Sequence, residues 1–258
     1  PPPLTVVMAS VVMAKLFLRE LQLGQINALI TVLLLLMALA LRARPRRAAA
    51  GTELLAGLAW GLATALKPYA VIFLPYFILR GKLRALLSGL AFVGLSLVVP
   101  AAFYGFRGLG AVLGEWAATL SRSTPALFDT QDNVSLLGLL VKWTGDIPLS
   151  TVLYAVSTGI LALLTLAAVF RGRKMDDPVP LEAGLLLLFI PLISPLGWDY
   201  TFLSGFLAVL IVFRHWARFP APGRVFLAAN AAMIGLALYD LLGRSVYARF
   251  MALSIPTL

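Results

Sequence analysis

The chain has 258 residues, of which 61% are hydrophobic and only 12% charged, and its mean hydropathy is +0.95. So little polar surface excludes a soluble domain of this length and makes lipid the solvent for most of the chain. The net charge of +10 lies in short clusters between apolar runs. That is the positive-inside pattern of a membrane protein rather than a phosphate-tracking face, so no nucleic-acid partner is expected.

Cysteine is absent and there is one histidine. Disulfides, thiolate metal sites, His-based zinc sites and a Ser-His-Asp triad are thereby excluded. No metal site and no cofactor is expected, the scattered carboxylates leaving metal dependence open. Arginine far outnumbers lysine and Ala, Leu and Gly are abundant, which points to a GC-rich, bacterial coding sequence.

Apolar stretches cover 4–14, 26–41, 54–79, 85–104, 149–170, 181–213 and 225–242. Alternating strand-like segments are missing, so the fold class is all-α, a polytopic helical membrane protein. The first run is too short to span a bilayer, and the chain opens Pro1-Pro2-Pro3. It is therefore expected to be a single transmembrane domain over 1–258 that lacks N-terminal helices, with an extracytoplasmic loop at 105–148.

Basic clusters stand at Arg42/Arg44/Arg46/Arg47, Arg80/Lys82/Arg84, Arg171/Arg173/Lys174 and Arg214/Arg218/Arg224. The loop 107–146 instead carries Arg107, Arg122 and Lys142 against Glu115, Asp129, Asp132 and Asp146. The four clusters are expected in the cytoplasm and the loop outside. The stretches 54–79 and 181–213 then have both flanks inside. Each contains a breaker, Lys67-Pro68 and Ser194-Pro195-Leu196-Gly197. Proline removes a backbone donor and disfavours helix at the preceding residue, so each stretch is expected to be a hairpin of short helices with an outward apex. A single tilted span remains an alternative for 54–79.

This topology brings embedded polar residues to one face. Gly24-Gln25-Ile26-Asn27 opens the second helix, Lys67 tops one hairpin, and Asp132-Asn133-Val134-Ser135 lies in the outer loop. Ser194, Trp198, Asp199 and Tyr200 lie at the other apex. Ionisable residues inside a membrane stretch are costly and mark candidate sites. Each also has a structural alternative. Lys67 can snorkel, Asp132 or Asn133 can cap a helix from Leu136 to Trp143, and Trp198 and Tyr200 can be interface aromatics. Gly57 and Gly61 are expected to pack helices closely, and Asp240 with Arg244 to pair at i,i+4. The stretch 108–120 suits a helix on the outer surface.

Gly24-Gln25-Ile26-Asn27 resembles the GQ-x-N element of the bacterial glycosyltransferase family 87. The segment Gly57 to Tyr69 is similar to that family's small-residue helix ending in Lys-Pro. Asn133-Val134-Ser135-Leu136 is similar to its outer-loop Asn-x-Ser element, and Ser194 to Tyr200 resembles its Ser-Pro-x-x-Trp segment. Many relatives carry histidines after the tryptophan, where this chain has Asp199-Tyr200.

The resemblance implies a GT-C membrane enzyme of the bacterial plasma membrane with an extracytoplasmic site. It would transfer a hexose, mannose being the expected one, from a polyprenyl-phosphate donor to a lipid or glycan acceptor. It further implies Lys67 as the cation for the leaving phosphate, Gln25, Asn27, Asn133, Ser135 and Ser194 as polar contacts, Trp198 as a sugar-facing aromatic, and Tyr200 as a further substrate-binding residue. The main catalytic carboxylate would lie upstream of Pro1, with Asp199 as the fallback base. The rival classes are a secondary transporter or lipid-carrier flippase, which also uses broken helices, and a non-catalytic membrane subunit.

Overall fold

The computed structural model describes residues 2–42 and 49–257. Arg44, Arg46 and Arg47 of the first basic cluster lie outside the described residues, as does Pro1. Among the described residues there are eleven α-helices and no strand. They are α1 (Pro3–Gln22), α2 (Asn27–Arg42), α3 (Ala49–Leu66), α4 (Leu74–Leu79), α5 (Leu83–Ser123), α6 (Leu136–Thr144), α7 (Ile147–Gly172), α8 (Val179–Ile193), α9 (Phe206–Arg214), α10 (Ala221–Leu236) and α11 (Tyr239–Ala252). The helices α5 and α7 are long and apolar enough to cross a membrane, and α10 with α11 form a pair bent by 103° that passes the same test together. The protein is an all-α polytopic membrane protein.

The chain divides into two units, 29–126 and the combination of 1–28 with 127–258. In the first, α3 ends at Leu66 because Pro68 disfavours helix at Lys67, whose backbone is extended (φ −142°, ψ 118°). A continuous helix would carry residue 70 about 15 Å beyond residue 60 at 1.5 Å per residue. Instead the Trp60 indole donates to the Ala70 carbonyl at 2.8 Å, and its ring meets Phe77 edge-on at 5.0 Å. The two ends of the stretch are joined as well, Lys82 Nζ lying 2.9 Å from Glu53 Oε1. The stretch 54–79 is a hairpin and not one tilted span.

Beside it, α3 packs on α5 through Gly57, Gly61 and Gly89. A Cβ on Gly57 would sit 2.2 Å from the Ala85 carbonyl oxygen, so the helix backbones approach as only glycine allows.

In the second unit, α8 and α9 run back against each other. Gly184 faces Leu207, Ala208 and Ile211, while Gly205 faces Leu188. Between them the chain leaves helix at Ser194 (φ −69°, ψ 131°), passes Pro195 to Trp198, and re-enters as a 3-10 turn at Asp199–Gly205. This second hairpin packs against α1, which also meets α10. Met13, Leu16 and Leu203 form the buried centre, with Phe202, Phe206, Val209 and Ile234 packed around them.

The pairing expected of Asp240 and Arg244 is absent among the described residues. Gly243 leaves helical geometry (φ 69°, ψ 163°), which destroys the one-turn spacing the pair needs.

Candidate functional site

Lys15 and Arg19 stand one turn apart on α1 and therefore share a face. That face meets the start of the 3-10 turn, where Asp199 is buried. Arg19 Nε lies 2.8 Å from Asp199 Oδ1 and Lys15 Nζ lies 3.8 Å from Oδ2. Oδ1 also accepts the Tyr200 N–H at 2.8 Å, whereas Oδ2 accepts no hydrogen bond. The Arg19 contact is close but poorly aligned, an ion pair rather than a directed hydrogen bond. Lys15 donates to the Ala237 carbonyl at 2.7 Å and sits 5.4 Å from the centroid of the Tyr247 ring.

Next to Arg19, Glu20 is 1% exposed. Its carboxylate accepts the Asn27 side-chain amide at 3.0 Å and the Ala28 N–H at 2.8 Å. Gly24 adopts φ +60°, the left-handed turn that lets α2 begin within reach of Glu20. Two cations and two carboxylates thus form a charge-balanced cluster.

Lys15 and Asp199 also line an open cleft of about 100 Å³. Its walls are apolar, from Met13, Leu16, Leu188, Phe202, Val209 and Met233, with Asn230, Ile255 and Pro256 completing them.

A second polar structure supports the apex before Asp199. Asn133 is fully buried. Its amide nitrogen donates to the carbonyls of Leu127, Phe128 and Pro195 at 3.1–3.3 Å, and its oxygen accepts from the N–H groups of Ser135 (3.1 Å) and Gly197 (3.0 Å). Val134 N–H donates to Gly197 O at 2.6 Å. Ser135 Oγ donates to Pro195 O at 3.0 Å and accepts the Gly138 N–H at 2.9 Å, capping α6. The cap expected at Asp132 or Asn133 is therefore supplied by Ser135, because Asn133 is committed to the apex.

Lys142 ties the same loop to the C-terminal segment. Its ammonium donates to Gln131 O (3.0 Å), Asn133 O (2.7 Å), Met251 O (3.1 Å) and Ser254 Oγ (2.9 Å). Burial pushes this lysine down to about 8, against the pull of Asp132 and then Asp129.

The profile of glycosyltransferase family 87 matches residues 1–195. The chain belongs to glycosyltransferase family 87. No curated protein and no solved structure matches it. As a family 87 protein it is a membrane glycosyltransferase, with a sugar donor and an acceptor as its substrates. The matched region contains Lys15, Arg19, Glu20 and the Asn133 loop. Asp199 and most of the cleft wall lie beyond it.

The fold brings Asn133, Ser135 and Ser194 together around the apex, where Ser194 Oγ donates to Leu196 O at 2.5 Å. Asn27 adjoins the charged cluster through Glu20, and Gln25 follows the turn, its N–H donating to Glu20 O at 3.0 Å. Trp198 is half-buried and precedes Asp199, and Tyr200 is buried beside it. Lys67 belongs to the other unit, half-buried at the hairpin apex there.

Sequence reasoning passed over Lys15, Arg19 and Glu20, and counted Lys142 only in the charge balance of the outer loop. Glu20 is buried. The available signal was the spacing Lys15–Arg19 and the carboxylate next to it, directly ahead of Gly24-Gln25-Ile26-Asn27.

Proposed function

We propose that this family 87 glycosyltransferase takes a hexose, mannose in the first instance, from a polyprenyl-phosphate donor. It passes the sugar to a hydroxyl of a lipid or glycan acceptor on the extracytoplasmic face of a bacterial plasma membrane. The observation that carries the reading is the mainly apolar cleft lined by Lys15 and Asp199, with Arg19 beside Asp199. An isoprenoid tail requires apolar walls, and each buried methylene is worth about 0.8 kcal/mol. The phosphate at its head requires cations, and Lys15 lines the cleft while Arg19 pairs with Asp199.

In the transfer, the acceptor oxygen attacks the anomeric carbon and the bond from that carbon to the phosphate oxygen breaks. The leaving group departs as a phosphate monoester carrying one more negative charge. Lys15 and Arg19 stabilise that charge as it develops, the phosphate role first expected of Lys67. When the phosphate engages both cations, Asp199 loses its partners and becomes available to take the acceptor's proton. Trp198 offers a face to the sugar and Gln25 an amide to its hydroxyls, while Asn27, its amide held by Glu20, and the buried Tyr200 position the cluster. Asn133, Ser135 and Ser194 hold the apex in place.

The test is transfer of labelled mannose from polyprenyl phosphate by the purified full-length protein in lipid nanodiscs. Lys15→Ala and Arg19→Ala should each lower turnover by about 10²-fold or more, the usual cost of removing one group that stabilises developing charge. Arg19→Lys should retain part of it. Turnover like that of the unmodified protein in both alanine variants would remove the phosphate assignment. Transfer from a nucleotide sugar but from no polyprenyl-phosphate hexose would overturn the donor class.

A further inference from the structure

The 41-residue helix α5 contains one residue outside helical geometry, Gly105, at φ 68° and ψ 165°. That conformation is essentially restricted to glycine, so the helix breaks there by design of the sequence. The portion before it, 83–104, is about 33 Å long at 1.5 Å per residue, enough to cross the hydrocarbon core by itself. The portion after it, 106–123, is a separate helix that begins where the crossing is complete.

That second portion is two-faced. At 100° per residue, Phe106, Leu109, Val112, Leu113, Trp116 and Leu120 fall within an arc of about 120°. Arg107, Glu115 and Arg122 fall together on the opposite side. Neither side is covered, Phe106 being 80% and Trp116 52% exposed. An apolar arc of this size standing in water would be costly, and in a spanning helix the uncovered charged face of Arg107, Glu115 and Arg122 would meet hydrocarbon.

We propose that residues 106–123 form an interfacial helix that lies in the plane of the membrane, its apolar arc in the headgroup–acyl boundary of the lipid. Two observations favour lipid over a protein as the occupant. The arc follows directly in sequence on Phe103 and Tyr104, exposed aromatic side chains at the end of a helix long and apolar enough to span the bilayer. An arginine also stands near each end of the polar face, where lipid phosphates lie. The aromatic pair at the break and Trp116 belong at that level of a bilayer.

Because the chain has no cysteine, single cysteines can be placed along 106–122 of the full chain and spin-labelled in phospholipid nanodiscs. Accessibility to oxygen, which concentrates in lipid, is then compared with accessibility to a water-soluble nickel chelate. The ratio should oscillate with a helical period. The positions of Leu109, Leu113, Trp116 and Leu120 should lie about 5–10 Å below the phosphates, and those of Arg107, Glu115 and Arg122 should face the chelate. Uniform oxygen exposure would mean a spanning helix, and uniform chelate exposure a helix clear of lipid. Protection of the apolar arc from both reagents would mean that protein covers it. Each of these three results overturns the proposal.

Discussion

Replacing Asp199 by leucine removes the carboxylate but leaves both cations of the cluster in place. The side chains of Lys15 and Asp199 are 9% and 3% exposed. Depriving a buried charge of its partner costs about 3–5 kcal/mol, most of it the penalty on the charge left behind. Arg19 is 33% exposed, so water screens it and its loss adds no more than about 1 kcal/mol. The Tyr200 N–H loses its acceptor, worth about 1 kcal/mol more. The variant should therefore be less stable by about 5 kcal/mol.

At about 2–4 °C per kcal/mol for a chain of this size, its melting point should fall by more than about 10 °C. The assay is thermal unfolding of the detergent-solubilised full-length protein. Adding Lys15→Met to Asp199→Leu should return part of the loss, since an apolar pair replacing a buried ion pair is often neutral or better. A coupling of about 1–3 kcal/mol between the two changes is expected for residues in contact. A single variant that melts within about 1 °C of the unmodified protein would refute the reasoning. So would a double variant no more stable than the two losses added together.

Lys142 supplies a pH test. Burial lowers it to about 8 in the folded protein from an ordinary value of 10.5. Between those values the unfolded chain holds a proton that the folded chain has released, so stability contributed at this site rises as pH increases from about 8 to 10.5. Measured against Lys142→Met across that window, the unmodified protein should gain stability, and a loss would show that the group is not lowered. At Gly57, alanine would place a Cβ 1.9 Å from Ser88 Oγ and 2.2 Å from the Ala85 carbonyl oxygen. Overpacking against backbone should cost at least about 1–3 kcal/mol, while Gly94→Ala, with nothing within 4 Å, is the control. Equal melting points for the two variants would contradict the close packing of α3 on α5.

The two hairpins were legible in the sequence because their cause is local. A proline at 68 or 195 removes one donor and crowds the residue before it, whatever the rest of the chain does. The all-α membrane class follows equally directly from apolar content and the spacing of charges. Capping was legible only in part. Asp132, Asn133 and Ser135 are all suitable caps within four positions, and the choice fell to Ser135 because Asn133 binds Gly197 and Pro195, more than sixty residues away. The i,i+4 rule suggested Asp240 with Arg244 and says equally little against Lys15 with Arg19. Gly243 breaks the first spacing, and the second gained its meaning when Asp199 was laid against α1. Periodicity along one helix reports which residues share a face. Whether that face meets lipid, water or a carboxylate depends on elements distant in sequence, and only the packing of the second hairpin and α10 around α1 brought two ordinary-looking cations onto a buried carboxylate beside a mainly apolar cleft.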